Sequence, residues 1–318
     1  MWPTTSVREP SATRAAKACT DRGPMSGQPG GSERVPWQAN ARAVAQRLGA
    51  DPRYVRRLRW LHKADAVRRN GGRLRDHLGF VVWDPEPDNF TFDIANLDDL
   101  AAWVAEVTGC PSDVARGRVG EPASDPELRD RLRQATGAHR LWTKAEPPFG
   151  KRLGWYAVAR TLTPRLIVET GVHDGLGSLL LLRALERNAA DGAPGRLVSF
   201  DVNPAAGWLV GSHPCWEMRI ESSAVGLAGV LRAEPGLDLY VYDGWHDRDA
   251  ERRDLEVALD HLAPTGVLIS DDAQTTHALA ELAADRSLCY AEFHEVPVNH
   301  FHPGATLGAA RPRPARAS

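Results

Sequence analysis

The sequence contains four cysteines, Cys19, Cys110, Cys215 and Cys289, and no two of them form a CxxC pair. That spacing argues against a zinc ribbon and against a disulfide-framed fold, and it fits a reducing, cytoplasmic setting. Long apolar runs are missing as well. None approaches the ~18–20 residues that a membrane-spanning helix needs, and the first residues lack the apolar stretch of a secretory signal. Nor does charge of one sign prevail: 39 Lys and Arg face 41 Asp and Glu, a net charge of −2. The whole molecule therefore carries no electrostatic footprint for nucleic acid.

A length of 318 residues suits one large domain or two smaller ones. Residues 1–35, rich in Pro, Gly, Ser, Thr and Arg, read as a disordered tail. Within them Met25 is a second candidate start. Residues 36–148 read as a mostly helical region, with helices expected at 37–48, 52–69 and 97–107. Leu97, Leu100, Ala101, Val104 and Val107 make one face of the last of these. Asp125-Pro126 opens another helix, with proline in the first turn where a missing N–H costs little. Short extended pieces are expected at 80–83 and 90–93. A basic run from Arg53 to Arg75 has two readings, a solvated helix face or a docking surface for an anionic partner. The region carries no catalytic constellation; its expected role is to cap or dimerise the domain C-terminal to it, or to shape that domain's substrate site.

After Gly150 the pattern changes to alternating strands and helices, the signal of a parallel sheet. Strands are expected at 166–168, 197–200, 218–220, 239–242 and 267–270, with helices at 178–188, 224–233, 249–262 and 277–284. Segments 291–298 and 305–310 close the pattern as an antiparallel hairpin. The expectation is an α/β domain over 149–310, a Rossmann-like, doubly wound sheet of seven strands, followed by a short tail at 311–318.

The most informative stretch is Glu169-Thr170-Gly171-Val172-His173-Asp174-Gly175-Leu176-Gly177-Ser178, between the first strand and its helix. Glycines there permit a tight turn and close approach of the backbone to a ligand, and a helix N-terminus directs N–H groups at it. Asp201 ends the next strand, where a carboxylate can accept hydrogen bonds from the two hydroxyls of a ribose. An ordinary strand-to-helix turn and an acidic helix cap are the bland readings of the same residues.

The segment E169-x-G171-x-x-x-G175-x-G177, with an acid ending the second strand, resembles motifs I and II of class I methyltransferases. It fits the nicotinamide fingerprint GxGxxG less well, since its first two glycines are four apart. The resemblance implies S-adenosylmethionine as cofactor. Glu169 and Gly171 would lie near its methionine part, Asp201 at its ribose and Ser222 or Ser223 at its adenine, with His173, Gly175, Gly177, Ser178 and Asp243 completing the cofactor-binding set.

Further on, Asp243-Gly244-Trp245-His246 and Leu262-Ala263-Pro264-Thr265-Gly266…Asp271-Asp272 resemble the family of macrocin and cephamycin-pathway methyltransferases and, distantly, catechol O-methyltransferase, with Thr265 where that family usually has Gly. In its metal-using members, acids matching Asp243, Asp271 and Asp272 hold one Mg2+. All three residues end strands, where open α/β sheets bind ligands. The other reading is that Asp271-Asp272 caps the next helix and no metal is used. His246 is the candidate general base, because imidazole titrates near neutrality; a loop histidine seating the adenine is its alternative. His300-x-His302 with His294 invites a metal reading, but no carboxylate or cysteine completes the set. Trp155 and Tyr156 read as core aromatics before they read as a cofactor lid.

Together these residues point to S-adenosylmethionine-dependent O-methylation of a small hydroxylated molecule, a sugar or secondary metabolite, with Mg2+ left open. His246 and Asp243 are the candidate catalytic residues, and a homo-oligomer is compatible with this reading. A nicotinamide-dependent oxidoreductase and a non-catalytic cofactor-binding module are the rival readings.

Overall fold

The computed structural model describes residues 60–61, 63–65, 67–68, 73–78, 81–82, 92–137, 146–298, 300 and 302–313. The expected N-terminal tail, residues 314–318 of the C-terminal one, the 37–48 helix, most of the basic run and half of the two short extended pieces lie outside these residues; Val81 and Val82, expected to be extended, are helical. Of the basic run, Lys63 is buried whereas Arg68, Arg73 and Arg75 are exposed.

Seven strands form one sheet: β1 Leu166–Thr170, β2 Arg196–Asp201, β3 Trp216–Ile220, β4 Leu237–Tyr242, β5 Leu262–Ser270, β6 Cys289–His294 and β7 Thr306–Arg311. Their spatial order is β3-β2-β1-β4-β5-β7-β6. The first five are parallel, and β7 runs antiparallel to both β5 and β6. The expected Rossmann-like sheet is therefore present, with the hairpin added beyond β5. Because helices cover both faces, the central strands are buried on both sides; β1 is buried at all five positions. Ile167 contributes to one face while Leu166 and Val168 contribute to the other.

Helices α1 Leu97–Thr108, α2 Ser112–Gly120, α3 Pro126–Gly137, α4 Leu153–Leu162 and α5 Leu176–Ala190 belong to the first face. Helices α6 Ser223–Arg232, α7 Arg248–Asp260, the single turn α8 Ala273–Thr276 and α9 Ala278–Asp285 come next in the chain, and α6, α7 and α9 fill the second face. In α1 the expected face is buried except at Leu97. That residue is the helix's first and stays exposed, while Trp103 joins the core and donates through Nε1 to the Ala291 carbonyl on β6, 3.3 Å away. The α1 helix also meets α4 at Gly154, where an added Cβ would sit 3.0 Å from Leu100 and 3.1 Å from Trp103. One apolar core thus runs from Phe92 through Leu132 into β1, β4 and β5.

The start of α3 is held by Asp125, whose Oδ1 accepts the Leu128 amide at 3.1 Å. The same buried carboxylate takes Arg183 and Arg187 from α5, at 2.7 and 2.9 Å. The order in which strands are added reverses between the parallel strands β1 and β4, which opens a crevice at their carboxyl ends. Glu169-Thr170 and Tyr242-Asp243 border that crevice.

Candidate active site

A cavity of about 270 Å³ opens at this switch point. One wall is the β1–α5 loop with Glu169, Gly171, Val172 and Gly177. The opposite wall is formed by Asp243, His246, Asp271 and Asp272, from the ends of β4 and β5. Gly150, Lys151 and Arg152, ahead of α4, close one side; Phe92, Phe149 and His302 close another.

The loop's glycines answer to the protein's own backbone and core. At Gly171, φ is +89° and a Cβ would fall 1.9 Å from the Asp243 carbonyl oxygen. Gly175 caps α5 in the left-handed region at φ +94°. At Gly177 a Cβ would lie 2.4 Å from the Trp155 ring. Close packing between β1, β4 and α4 is thus the immediate reason for the glycine spacing, and the ligand-facing surface is a by-product of it. Trp155 and Tyr156 are both fully buried, as expected for core aromatics, and the Tyr156 hydroxyl donates to Glu121 at 2.6 Å.

Glu169 is buried and accepts hydrogen bonds from Ser178 at 2.6 Å and Ser199 at 2.7 Å. Burial pushes its carboxyl up to about 7, against the pull of those two hydroxyls. Ser178 therefore reaches the cavity only through Glu169. Asp201 binds the loop itself: its Oδ2 accepts the amides of Val172 and His173, at 2.9 and 3.0 Å, and its Oδ1 that of Asn203 at 2.8 Å. His173 stands at the rim with φ +52° and an exposed ring. Ser223 donates to Asp254 on α7. Neither Ser222, Ser223 nor Asp201 lines the cavity.

The three carboxylates expected at a metal line the same cavity, but a cation already stands among them. Lys151 Nζ lies 3.0 Å from Asp271 Oδ2 and forms an even shorter ion pair with Asp272 Oδ1. The Arg152 guanidinium lies 3.6 Å from Asp243 Oδ2. The Lys151 side chain is 7% exposed. Burial disfavours its charge, yet Asp271 and Asp272 outweigh that and hold the ammonium well above its ordinary range. Burial likewise opposes ionisation of Asp272, but Lys151 keeps its carboxyl below the usual value. Asp243 moves the other way: burial, then the charge of Asp271, lifts it well above the carboxylate range. Among the described residues no group of three or more His, Cys, Asp or Glu is arranged to hold a metal ion. The donor set as it stands does not fit Mg2+, because the ammonium occupies the space between Asp271 and Asp272.

His246 lies at the cavity rim with Nε2 3.3 Å from Asp272 Oδ2. Asp272 is a non-glycine residue at φ +53°, the kind of backbone outlier that clusters where side chains must be aimed. The other histidines do not form a ligand set. His302 stacks on Phe92 with ring centroids 5.6 Å apart, and His300 lies 4.8 Å from the same ring. His294 pairs through Nδ1 with Thr306 Oγ1 at 3.0 Å. Glu295, which the sequence does not mark out, ties the cavity's edges together: Oε2 accepts the Lys151 amide and Oε1 the Ala305 amide, each at 3.1 Å. Lys151, Arg152, Phe92 and Glu295 were invisible as a site in the sequence. The one available signal was a Lys-Arg pair directly ahead of an apolar helix.

Residues 168–273, about a third of the chain, match a protein family described as a methyltransferase domain. No curated protein matches the chain. Among solved structures it is similar to the O-methyltransferase from Bacillus cereus in complex with S-adenosylhomocysteine, at 17% identity and a TM-score of 0.44, covering 59% of this chain and 91% of that one. It is also similar to the O-methyltransferase TomG of Streptomyces achromogenes, involved in tomaymycin synthesis, at 19% identity and a TM-score of 0.44, covering 60% and 91%. A third is the methyltransferase PaMTH1 of Podospora anserina, at 15% identity and a TM-score of 0.42, covering 60% and 89%.

Proposed function

We propose that this chain, whose residues 168–273 match a methyltransferase domain, is a class I, S-adenosylmethionine-dependent enzyme that methylates a hydroxyl of a small molecule, with His246 as general base. The observation that carries the reading is the pairing of the His246 imidazole with Asp272, 3.3 Å apart, on the wall that faces Glu169 and Gly171 across one cavity. The residues present suit the cofactor. Glu169 and Asp174 offer carboxylates to a ligand bearing an amine and a sulfonium, and the loop from Gly171 to Gly177 leaves an open surface beside them.

When bound, the cofactor supplies an already activated methyl group, so the chain's task is chiefly to hold the acceptor oxygen in line, about 3–3.5 Å from it. Asp272, 3.3 Å from His246 Nε2, would orient the ring and leave Nδ1 to take the acceptor's proton. A methyl passed to that oxygen would leave S-adenosylhomocysteine on the surface from Glu169 to Gly177 that would hold the cofactor. Phe92, Phe149 and His302 give the acceptor an apolar and aromatic wall. Asp201 would meet the ribose from outside the cavity wall, and Ser222 or Ser223 the adenine, after a change of rotamer in Ser223.

The test is His246→Ala, assayed against a panel of polyols, phenols and sugars by mass spectrometry. Turnover should fall by roughly 10²–10⁴ while affinity for S-adenosylhomocysteine stays within about twofold. Methylation found only on nitrogen or carbon, or equal losses in turnover and cofactor binding, would refute the reading.

A further inference from the structure

We infer that Lys151, assisted by Arg152, takes the place of a divalent cation in this site, so that the acceptor oxygen meets an ammonium and methyl transfer needs no metal. The inference rests on the methyltransferase reading for its chemistry, though not for its geometry. The Asp271 and Asp272 carboxylates, with the Asp243 carboxyl beside them, make an acidic cluster that a crevice tolerates only with cations in contact. Two fixed monocations stand there. Lys151 bridges Asp271 and Asp272, and Arg152 faces Asp243. A bound dication would have to expel a nearly buried ammonium whose main chain is anchored by Glu295.

A second observation points from this cluster to a ligand. Asp271 is 2% exposed, lines the cavity and has one carboxylate oxygen, Oδ1, with no hydrogen-bond partner. Its other oxygen is committed to Lys151. A buried carboxylate oxygen left unpaired costs stability until a donor arrives, and a hydroxylated acceptor brings one. An acceptor hydroxyl beside Asp271 Oδ1 also lies next to the Lys151 ammonium, which stabilises negative charge on the oxygen as the proton leaves for His246. Lys151 keeps its own proton throughout, held by two carboxylates.

The prediction concerns metal binding and is independent of any acceptor. Mn2+ alone is titrated into wild type, Lys151→Ala and Lys151→Gln, and bound ion is read by electron paramagnetic resonance. Wild type should take up no stoichiometric Mn2+. Lys151→Ala, which frees the three carboxylates, should gain one site, binding Mn2+ at least about tenfold more tightly than wild type. Lys151→Gln reports on folding at nearly conserved volume, checked by circular dichroism and by S-adenosylhomocysteine titration. A stoichiometric Mn2+ site in wild type would overturn the inference. So would a folded Lys151→Ala protein that binds no Mn2+. Failure of wild type to bind S-adenosylhomocysteine would instead sink the methyltransferase reading and leave the metal result standing.

Discussion

The ring of Trp155 on α4 occupies the space that a side chain at Gly177 would need: a Cβ there would sit 2.4 Å from Cζ3. The first turn of α5 is therefore seated on an indole. Gly177→Ala should destabilise the protein by about 1–3 kcal/mol, the usual range for forcing a methyl into a packed core. Gly171→Ala should cost more, since its Cβ would meet the Asp243 carbonyl at 1.9 Å with φ at +89°. Gly229→Ala on α6, where nothing lies within 4 Å, should be neutral or slightly stabilising because alanine favours helix. Denaturant unfolding of the three variants checks the order. A Gly177→Ala protein as stable as Gly229→Ala would remove the packing explanation.

Asp201 ties the β1–α5 loop to the turn after β2, accepting the amides of Val172 and His173 from the one and of Asn203 from the other. Asp201→Ala should lower affinity for S-adenosylhomocysteine by about tenfold or more, since each charged hydrogen bond is worth roughly 1.5–3 kcal/mol. Calorimetric titration reads this directly, and unchanged affinity would exclude both a ribose contact and a loop-ordering role.

The carboxyl of Glu169, at about 7 in the folded protein, links pH to stability and to binding. Its folded value lies above its unfolded one, so the folded state holds the extra proton between roughly pH 4.5 and 7. Stability should therefore decline as pH rises through that window and level off above it. Glu169→Gln should remove this decline. A cationic ligand at this carboxylate favours the ionised form, so S-adenosylmethionine binding near pH 6.5 should release a proton. Calorimetry in buffers of different ionisation enthalpy measures it, and zero proton release would place the ligand's charge elsewhere.

Asp125 shows the opposite sign. Burial raises its carboxyl, but Arg183, the Leu128 amide and Arg187 prevail and bring it to about 2. Its contribution is present above about pH 4 and is lost as pH falls towards 2. The shift corresponds to about 2 kcal/mol. In Asp125→Asn the acid-unfolding profile should flatten over that range at the expense of stability at neutral pH. An unchanged profile would disprove the linkage.

The order of strands and the turn at Gly171–Gly177 were legible because both rest on local grammar: apolar runs of strand length, punctuated by glycine and succeeded by 3.6-residue periodicity. Asp243, Asp271 and Asp272 were legible as a group because each ends a strand. Lys151 was not, since a Lys-Arg pair ahead of an apolar helix reads equally well as a solvated helix start. Its meaning comes from packing that brings residue 151 to residues 271 and 272, a contact of high sequence separation. The same limit applies to Ser223, whose pairing with Asp254 depends on how α6 lies beside α7. Leu97 fails for a simpler reason: periodicity names a helix face but not how far along the helix the neighbour extends.

The meeting of Leu100, Trp103 and Leu307 around Gly154 bears on how such a protein can diversify. A cofactor-binding half whose α4 is lined by α1 is not portable. Cut away from α1, it would expose apolar surface on the helix that follows directly on Lys151 and Arg152. Novelty in acceptor choice is then expected to arrive by point changes at Phe92 and His302, on the aromatic side of the cavity, and not by exchange of the whole N-terminal region.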